Sequence, residues 1–250
     1  MKRISILFLC VLLCGCHFKE MGTTSFMQIL ERFDSIEMPS YTNMQKKYYN
    51  YYLPKGVGRR KSTQTSEVFV KNGYPIVMNF DPSMIVMNEH YKTTSSTNEE
   101  VKSDTIRGVP YNEEEHKELL TKVTMSEDKK GTGKVSFKGY YKDIKDRVYS
   151  YQFILIPDGT QYCLYFQSDI VNICSVIAQV EIESIMHIMM MLAKSIDYHE
   201  TEVLQNFSMK SINEVQKDNL QSIQSNISSS GSLPELLDPS SNDKPDDIRH

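Results

Sequence analysis

The sequence predicts an α+β fold: an antiparallel meander sheet of about five to seven strands, with an N-terminal helix and a long apolar helix after the last strand. Three observations predict it. Apolar and polar residues alternate along three successive segments, 134–141, 147–156 and 161–167. The links between them are short and turn-rich, as in Pro157-Asp158-Gly159-Thr160, so neighbouring strands run antiparallel. Beyond them lies Ile185 to Ala193 (IMHIMMMLA), apolar on nearly every side, which a sheet must cover.

The elements follow in order. Thr23 or Thr24 caps a helix running to about Asp34, with Phe26, Ile29, Leu30 and Phe33 on one stripe. Met38-Pro39-Ser40 ends it. Residues 67–71 and 74–80 read as two strands joined by an Asn72-Gly73 hairpin turn. After Asp81-Pro82-Ser83, residues 84–90 read as a third strand and 92–105 as a polar surface loop. Residues 112–116 fit either a helix start or the lead into a strand over 119–125, and the turn-like run after Met125 favours the strand. In the segment 147–156, Tyr149, Tyr151, Phe153 and Leu155 share one face. The long helix is expected over 171–197, and a weaker one within 200–225. Glu181 and Glu183 argue against a membrane span there, since each carboxylate costs about 2.5–3.5 kcal/mol at a bilayer centre. From Asn226 onward Ser, Pro and Asp dominate, which predicts a disordered acidic tail over 226–250.

The first sixteen residues carry an address. Lys2 and Arg3 precede an uncharged run, Ile4 to Leu13, far shorter than the ~20 residues a bilayer span needs. The run ends at Leu13-Cys14-Gly15-Cys16, which resembles the lipobox of bacterial lipoproteins. The resemblance covers these sixteen residues alone, with Cys14 where Ala or Ser is usual. It implies removal of 1–15 and a diacylglycerol on Cys16; the chain pattern itself then gives a lipidated N-terminus and short tether over 16–22 and a single α+β domain over 23–225. It also implies a cell-membrane location, facing the extracytoplasmic side, and palmitate-class acyl chains. Two or three such chains hold a protein effectively permanently, at about 0.8 kcal/mol per buried CH₂. The predicted meander and covering helix also look like small lipoproteins of the PsbP-like shape, an analogy of pattern rather than of motif.

Composition narrows the partners. Losing Lys2 and Arg3 with the first fifteen residues leaves 26 basic against 32 acidic side chains, a net charge near −6. Such a chain lacks the basic surface of a nucleic-acid binder, and none is expected as a partner. Of five cysteines, only Cys163 and Cys174 lie beyond Cys16. An oxidising compartment permits a disulfide between them, and two free buried thiols are the favoured reading.

One segment draws the binding expectation. Tyr48, Tyr49, Tyr51 and Tyr52 cluster before Leu53-Pro54, and Arg59, Arg60 and Lys61 follow a Gly56-x-Gly58 turn. Aromatics beside guanidinium groups suit an anionic or sugar-like ligand. Cations close to a lipid anchor also suit anionic head groups. Against both stands a bland arrangement, with tyrosines packed on a sheet and cations in a solvated turn.

No reaction is spelled out. HExxH, Cys-x-x-Cys and Gly-x-Ser-x-Gly are absent, so known zinc spacings and the nucleophile elbow do not occur. His187 with Met186, Met189, Met190 and Met191 is the one cluster suited to Cu(I), and a Met-filled core is the simpler account of it. Glu113-Glu114-Glu115 does not converge on a point and reads as solvated surface. The expectation is therefore a lipid-anchored surface protein with a non-enzymatic binding or assembly role, no cofactor, and an envelope protein or envelope component as partner. An envelope enzyme with an unrecognised active site, and a metal-handling lipoprotein, are the alternatives.

Overall fold

A computed structural model describes residues 28–29, 36, 38–95, 124–127, 133–209, 211–212, 214 and 217. By internal contacts the chain divides into residues 1–36 and 37–250. Of the first unit only Gln28, Ile29 and Ile36 are described, the first two helical. Residues 92–95, expected to open a polar loop over 92–105, are helical; the rest of that loop, the lipobox and Cys16, Glu113 to Glu115 and the 226–250 tail lie outside the described residues.

The second unit is α+β and dominated by antiparallel sheet. Its strands are β1 (Met44–Gln45), β2 (Tyr49–Tyr51), β3 (Gly58–Ser62), β4 (Ser66–Lys71), β5 (Tyr74–Phe80), β6 (Thr124–Glu127), β7 (Val135–Lys142), β8 (Val148–Asp158), β9 (Gln161–Ser168), β10 (Val171–Ala178) and β11 (Asp197–Tyr198). The helices are α1 (Ser83–Ser95), α2 (Ile182–Lys194) and α3 (Glu200–Asn206). Eight strands form one sheet in the order β3-β4-β5-β10-β9-β8-β7-β6, the last being a four-residue edge strand. Two meanders make it. One runs outside-in from β3 to β5, the other from the far edge, β6 to β10, and they meet antiparallel at β5 and β10. A separate three-stranded ribbon has the order β1-β2-β11.

Local chemistry explains the turns. At Asn72-Gly73 both residues have positive φ, 51° and 87°, the conformation a two-residue hairpin with right-twisted strands needs. Across it, Lys71 pairs with Tyr74 as expected for an uninterrupted ladder. Between β9 and β10, the Ser168 hydroxyl accepts hydrogen bonds from the Ile170 and Val171 amides and closes the turn. Between β7 and β8, Asp143 accepts from the Lys145 and Arg147 amides at 2.8 and 2.9 Å and from Arg147 Nε at 2.8 Å.

Two expected elements are corrected. Residues 84–90 are helical, within α1, not a strand. The Asp81 carboxylate accepts the Ser83 amide at 2.9 Å, and Pro82, just before the helix, needs no N–H there and accepts the Val86 amide on its carbonyl at 3.1 Å. The apolar triplet Met84, Ile85 and Val86 is buried as a helix face rather than a strand face. The helix expected over 171–197 is also shorter. Residues 171–178 are β10, a central strand between β5 and β9, and the apolar helix occupies only Ile182–Lys194. A strand covered on both faces loses its alternation, so Val171 to Ala178 carries no period of two. The helix is not the end of the strand set, because β11 follows it.

The main core lies on the sheet face that carries Phe69, Ile76, Met78, Phe80, Phe137, Phe153, Leu164 and Phe166, all at most 1 % exposed. Phe153 and Phe166 are directly opposed in the β8–β9 register and meet edge to face at 4.8 Å. The ribbon covers part of this face. Tyr49 stacks on Phe80 at 4.7 Å, and Tyr51 meets Phe69 at 5.9 Å. Helix α2 packs against β9 and β10 and buries Ile182, Ile185, Met186, Met189, Met190 and Leu192. Its C-terminal cap is tied to the ribbon, since the Ser195 hydroxyl accepts the Tyr52 amide at 3.0 Å and donates to the Leu192 carbonyl at 2.9 Å. Met189→Ala is expected to cost about 2–5 kcal/mol in denaturant unfolding; a loss below about 0.5 kcal/mol would contradict a tightly packed helix–sheet interface.

The opposite face is smaller and apolar, with Val68, Val77, Cys163, Cys174 and Val176 buried together beside Ile156 and Tyr165. The disulfide considered between Cys163 and Cys174 is not formed, and both are free, buried thiols. The register gives the reason: Cys163 opposes Val176 and Cys174 opposes Tyr165, so the pair is diagonal across two strands. Diagonal positions stand farther apart than the short Cβ separation a disulfide requires. Burial and the neighbouring thiol push the Cys174 thiol well above its ordinary value.

Candidate functional site

The structure divides the Tyr48–Lys61 segment in two. All four tyrosines are at most 9 % exposed. Tyr49 and Tyr51 lie inward on β2 against the sheet, as above. Tyr48 packs edge to face on Phe207 at 4.8 Å, and Tyr52 on Tyr41 at 5.7 Å. All four rings thus pack against other side chains of the protein. Arg59, Arg60 and Lys61 are all exposed, and they lie on a strand rather than in a solvated turn. Among the described residues that strand, β3, is an open edge of the large sheet.

The edge is irregular. Arg59 pairs with Phe69 and Lys61 with Val68, so Arg60 is the extra residue of a bulge. Residues opposed across a ladder share a face. Arg59 thus lies on the side of Phe69 and Tyr51, Lys61 on the side of Val68, and Arg60 at the bulge between them. The chain enters β3 through Gly56, whose φ is +77°, and the Lys71 ammonium stands 3.2 Å from where a side chain at Gly56 would begin.

Beneath this edge is a charged cluster that no motif announces. Glu67 on β4 is fully buried, with Lys46 Nζ 2.8 Å from its Oε1. Lys46 reaches it from the β1–β2 turn and also donates to the Ser62 hydroxyl and the Thr63 carbonyl. Ser62 in turn donates to Glu67 Oε1 at 3.0 Å. Among the described residues, Glu67 Oε2 and the Tyr49 and Tyr51 hydroxyls have no hydrogen-bond partner. The Tyr51 hydroxyl senses both the Glu67 carboxylate and the Arg59 guanidinium without a well-formed hydrogen bond to either. Burial raises the Tyr51 phenol above its ordinary value, Glu67 raises it further, and Arg59 opposes the rise. Burial and Glu67 do the same to Tyr49. These phenols stay protonated at neutral pH.

The cluster explains how the edge is held. Lys46 joins the ribbon to the end of β3, and Glu67 makes its burial tolerable. The two residues were beyond sequence reasoning because they are 21 positions apart and surrounded by unremarkable polar neighbours. Exposed Lys55 and half-buried Lys71 add cations at the Gly58 end of β3, and only the hairpin geometry brings them together.

The remaining candidates separate. His187 is on the exposed side of α2, whereas Met186, Met189 and Met190 are at most 1 % exposed in the core, so they do not converge as a copper set. Among the described residues no group of three or more His, Cys, Asp and Glu is gathered to hold a metal. A second ionic cluster, around Asp143 and Arg147, is architectural. The Arg147 guanidinium lies 4.0 Å over the Tyr198 ring and 3.7 Å from Asp197, linking the β7–β8 turn to β11. The Ile144 amide donates to the Lys194 carbonyl at 3.1 Å and fixes the same turn to the end of α2.

No protein-family model, curated protein or solved structure matches this chain.

Proposed function

We propose that the chain is a lipid-anchored protein of the bacterial cell envelope, attached through Cys16 and facing the extracytoplasmic side, with a non-enzymatic binding or assembly role. The anchor half of this reading rests on Leu13-Cys14-Gly15-Cys16 and the short apolar run before it. The binding half rests on one observation: the open edge strand β3 exposes Arg59, Arg60 and Lys61, while the tyrosines beside them are committed to the core. Exposed edge strands are ordinarily blunted by a charge or two against accidental pairing. Three consecutive cations on a bulge, backed by a buried Lys46–Glu67 pair that holds the hairpin in place, also suit recognition of an anionic envelope component.

The test is site-specific photo-cross-linking in the native envelope, with the cross-linking residue at Arg60 or, as control, at Lys145 on the β7–β8 turn. Adducts with an envelope molecule are expected from position 60 and not from position 145. Equal, background-level yields at both positions would remove the binding surface from the account.

A further inference from the structure

The hairpin around β3 concentrates positive charge. Lys55, Arg59, Arg60, Lys61 and Lys71 fall within 55–71, and the sole acid of that stretch, Glu67, is buried and paired with Lys46. Among the described residues no acidic side chain pairs with any of these five. The contrast is the β7–β8 turn, where Lys142 pairs with Asp146, Lys145 with Asp197, and Arg147 with Asp143. The chain as a whole carries a net charge of −4, so this edge is a local exception.

The shape of the exception narrows the partner. The cations point to both faces of β3 and to its bulge, and all five residues of the strand are exposed. A delocalised sheet of negative charge meets such an array without a shaped cleft. A discrete ligand would need converging donors, and the buried polar atoms here, Glu67 and the two phenols, lie beneath the strand rather than in a mouth.

We infer that the β3 edge, with Lys55 and Lys71 at its flank, rests on the anionic phospholipid head groups of the membrane that holds the anchor. The inference rests on the anchoring reading above and adds an orientation to it: the sheet stands edge-on, with β3 against the membrane and the β7–β8 turn away from it. Salt weakens this contact, because its charges are exposed.

The test uses full-length lipidated protein reconstituted into vesicles of phosphatidylcholine alone or of an even mixture with phosphatidylglycerol. Lysine acetylation rates are read by mass spectrometry against Lys145 in the same molecules. In the mixed vesicles at low salt, Lys55, Lys61 and Lys71 are expected to react slower by on the order of tenfold, with Lys145 unchanged. High salt should restore the rates. The R59S/R60S/K61S variant should lose the slowing at Lys55 and Lys71 while its thermal unfolding matches wild type. Protein that floats with both vesicle types and reacts equally in both overturns the orientation alone. Slowing that is equal in neutral vesicles and insensitive to salt also overturns it. Slowing in neutral vesicles that appears only on adding native envelope protein assigns the edge to an acidic protein instead. Protein that floats with neither overturns the anchor reading, and this inference with it.

Discussion

Glu67→Gln should destabilise the domain by about 3–5 kcal/mol, because it leaves the Lys46 ammonium without its counter-charge. The Lys46 side chain is 7 % exposed and that of Glu67 is fully buried, so water cannot substitute for the lost partner. For a domain of this size the melting temperature should fall by roughly 10 °C. The double variant Lys46→Met/Glu67→Leu should recover much of the loss, since replacing both members of a buried pair with apolar groups is often close to neutral. It will not recover all of it, because the Thr63 carbonyl and Ser62 hydroxyl lose a donor. Guanidinium unfolding of the two single variants and the double measures the coupling. A Glu67→Gln variant as stable as wild type would mean that the pair is solvated, and the hairpin would need another explanation for its position.

The second large effect is alkaline unfolding. The Tyr49, Tyr141 and Tyr149 phenols all lie well above their ordinary value of 10.0, with burial the leading cause in each. Below pH 10 these phenols are neutral in both states, and their contribution to stability is complete. Above it the unfolded chain releases protons that the folded chain keeps, so stability falls as pH rises toward the folded values. Three such phenols together remove about 4 kcal/mol for each pH unit above 10. A domain of ordinary stability should therefore unfold cooperatively between about pH 10 and 12. Tyrosinate absorbance and far-ultraviolet circular dichroism should change together. Smooth ionisation of the tyrosines with the fold intact would contradict their burial. Tyr49→Phe should make the loss shallower, as should Glu67→Gln, whose charge raises Tyr49 and Tyr51.

Much of the sheet was legible in the sequence, and for a physical reason. Strands β7, β8 and β9 each have one face mostly in the core and the other partly exposed, so the period of two survives, as in Tyr149, Tyr151, Phe153 and Leu155 of β8. The Asn72-Gly73 turn was legible because its conformation demands such residues. Strand β10 was not, because both of its faces are covered and Val171 to Ala178 looks like any buried run. The first turn of α1 was misjudged although Asp81 and Pro82 announced a helix cap, since Met84, Ile85 and Val86 read as strand residues.

In the candidate segment the sequence leaves two arrangements of the tyrosines open. Nothing local tells whether four tyrosines will stack on a ligand or on Phe69 and Phe80, which are distant in sequence. Strand β3 was read as a loop because Gly58 to Ser62 has no apolar residue at all. It becomes a strand by pairing with β4, not by propensity.

The central claim is that this domain is tied to a membrane through Cys16, and intact mass with membrane partition tests it most directly. Wild-type protein and Cys16→Ser should be expressed in a bacterial host and fractionated. The account predicts wild type in the membrane fraction, residues 1–15 removed and a diacylglyceryl mass on Cys16, with the variant unlipidated and its signal retained. Identical mass and partition for the two would contradict it: the first sixteen residues would then be an ordinary signal or an anchor helix, and the cationic edge of β3 would have to find its partner elsewhere.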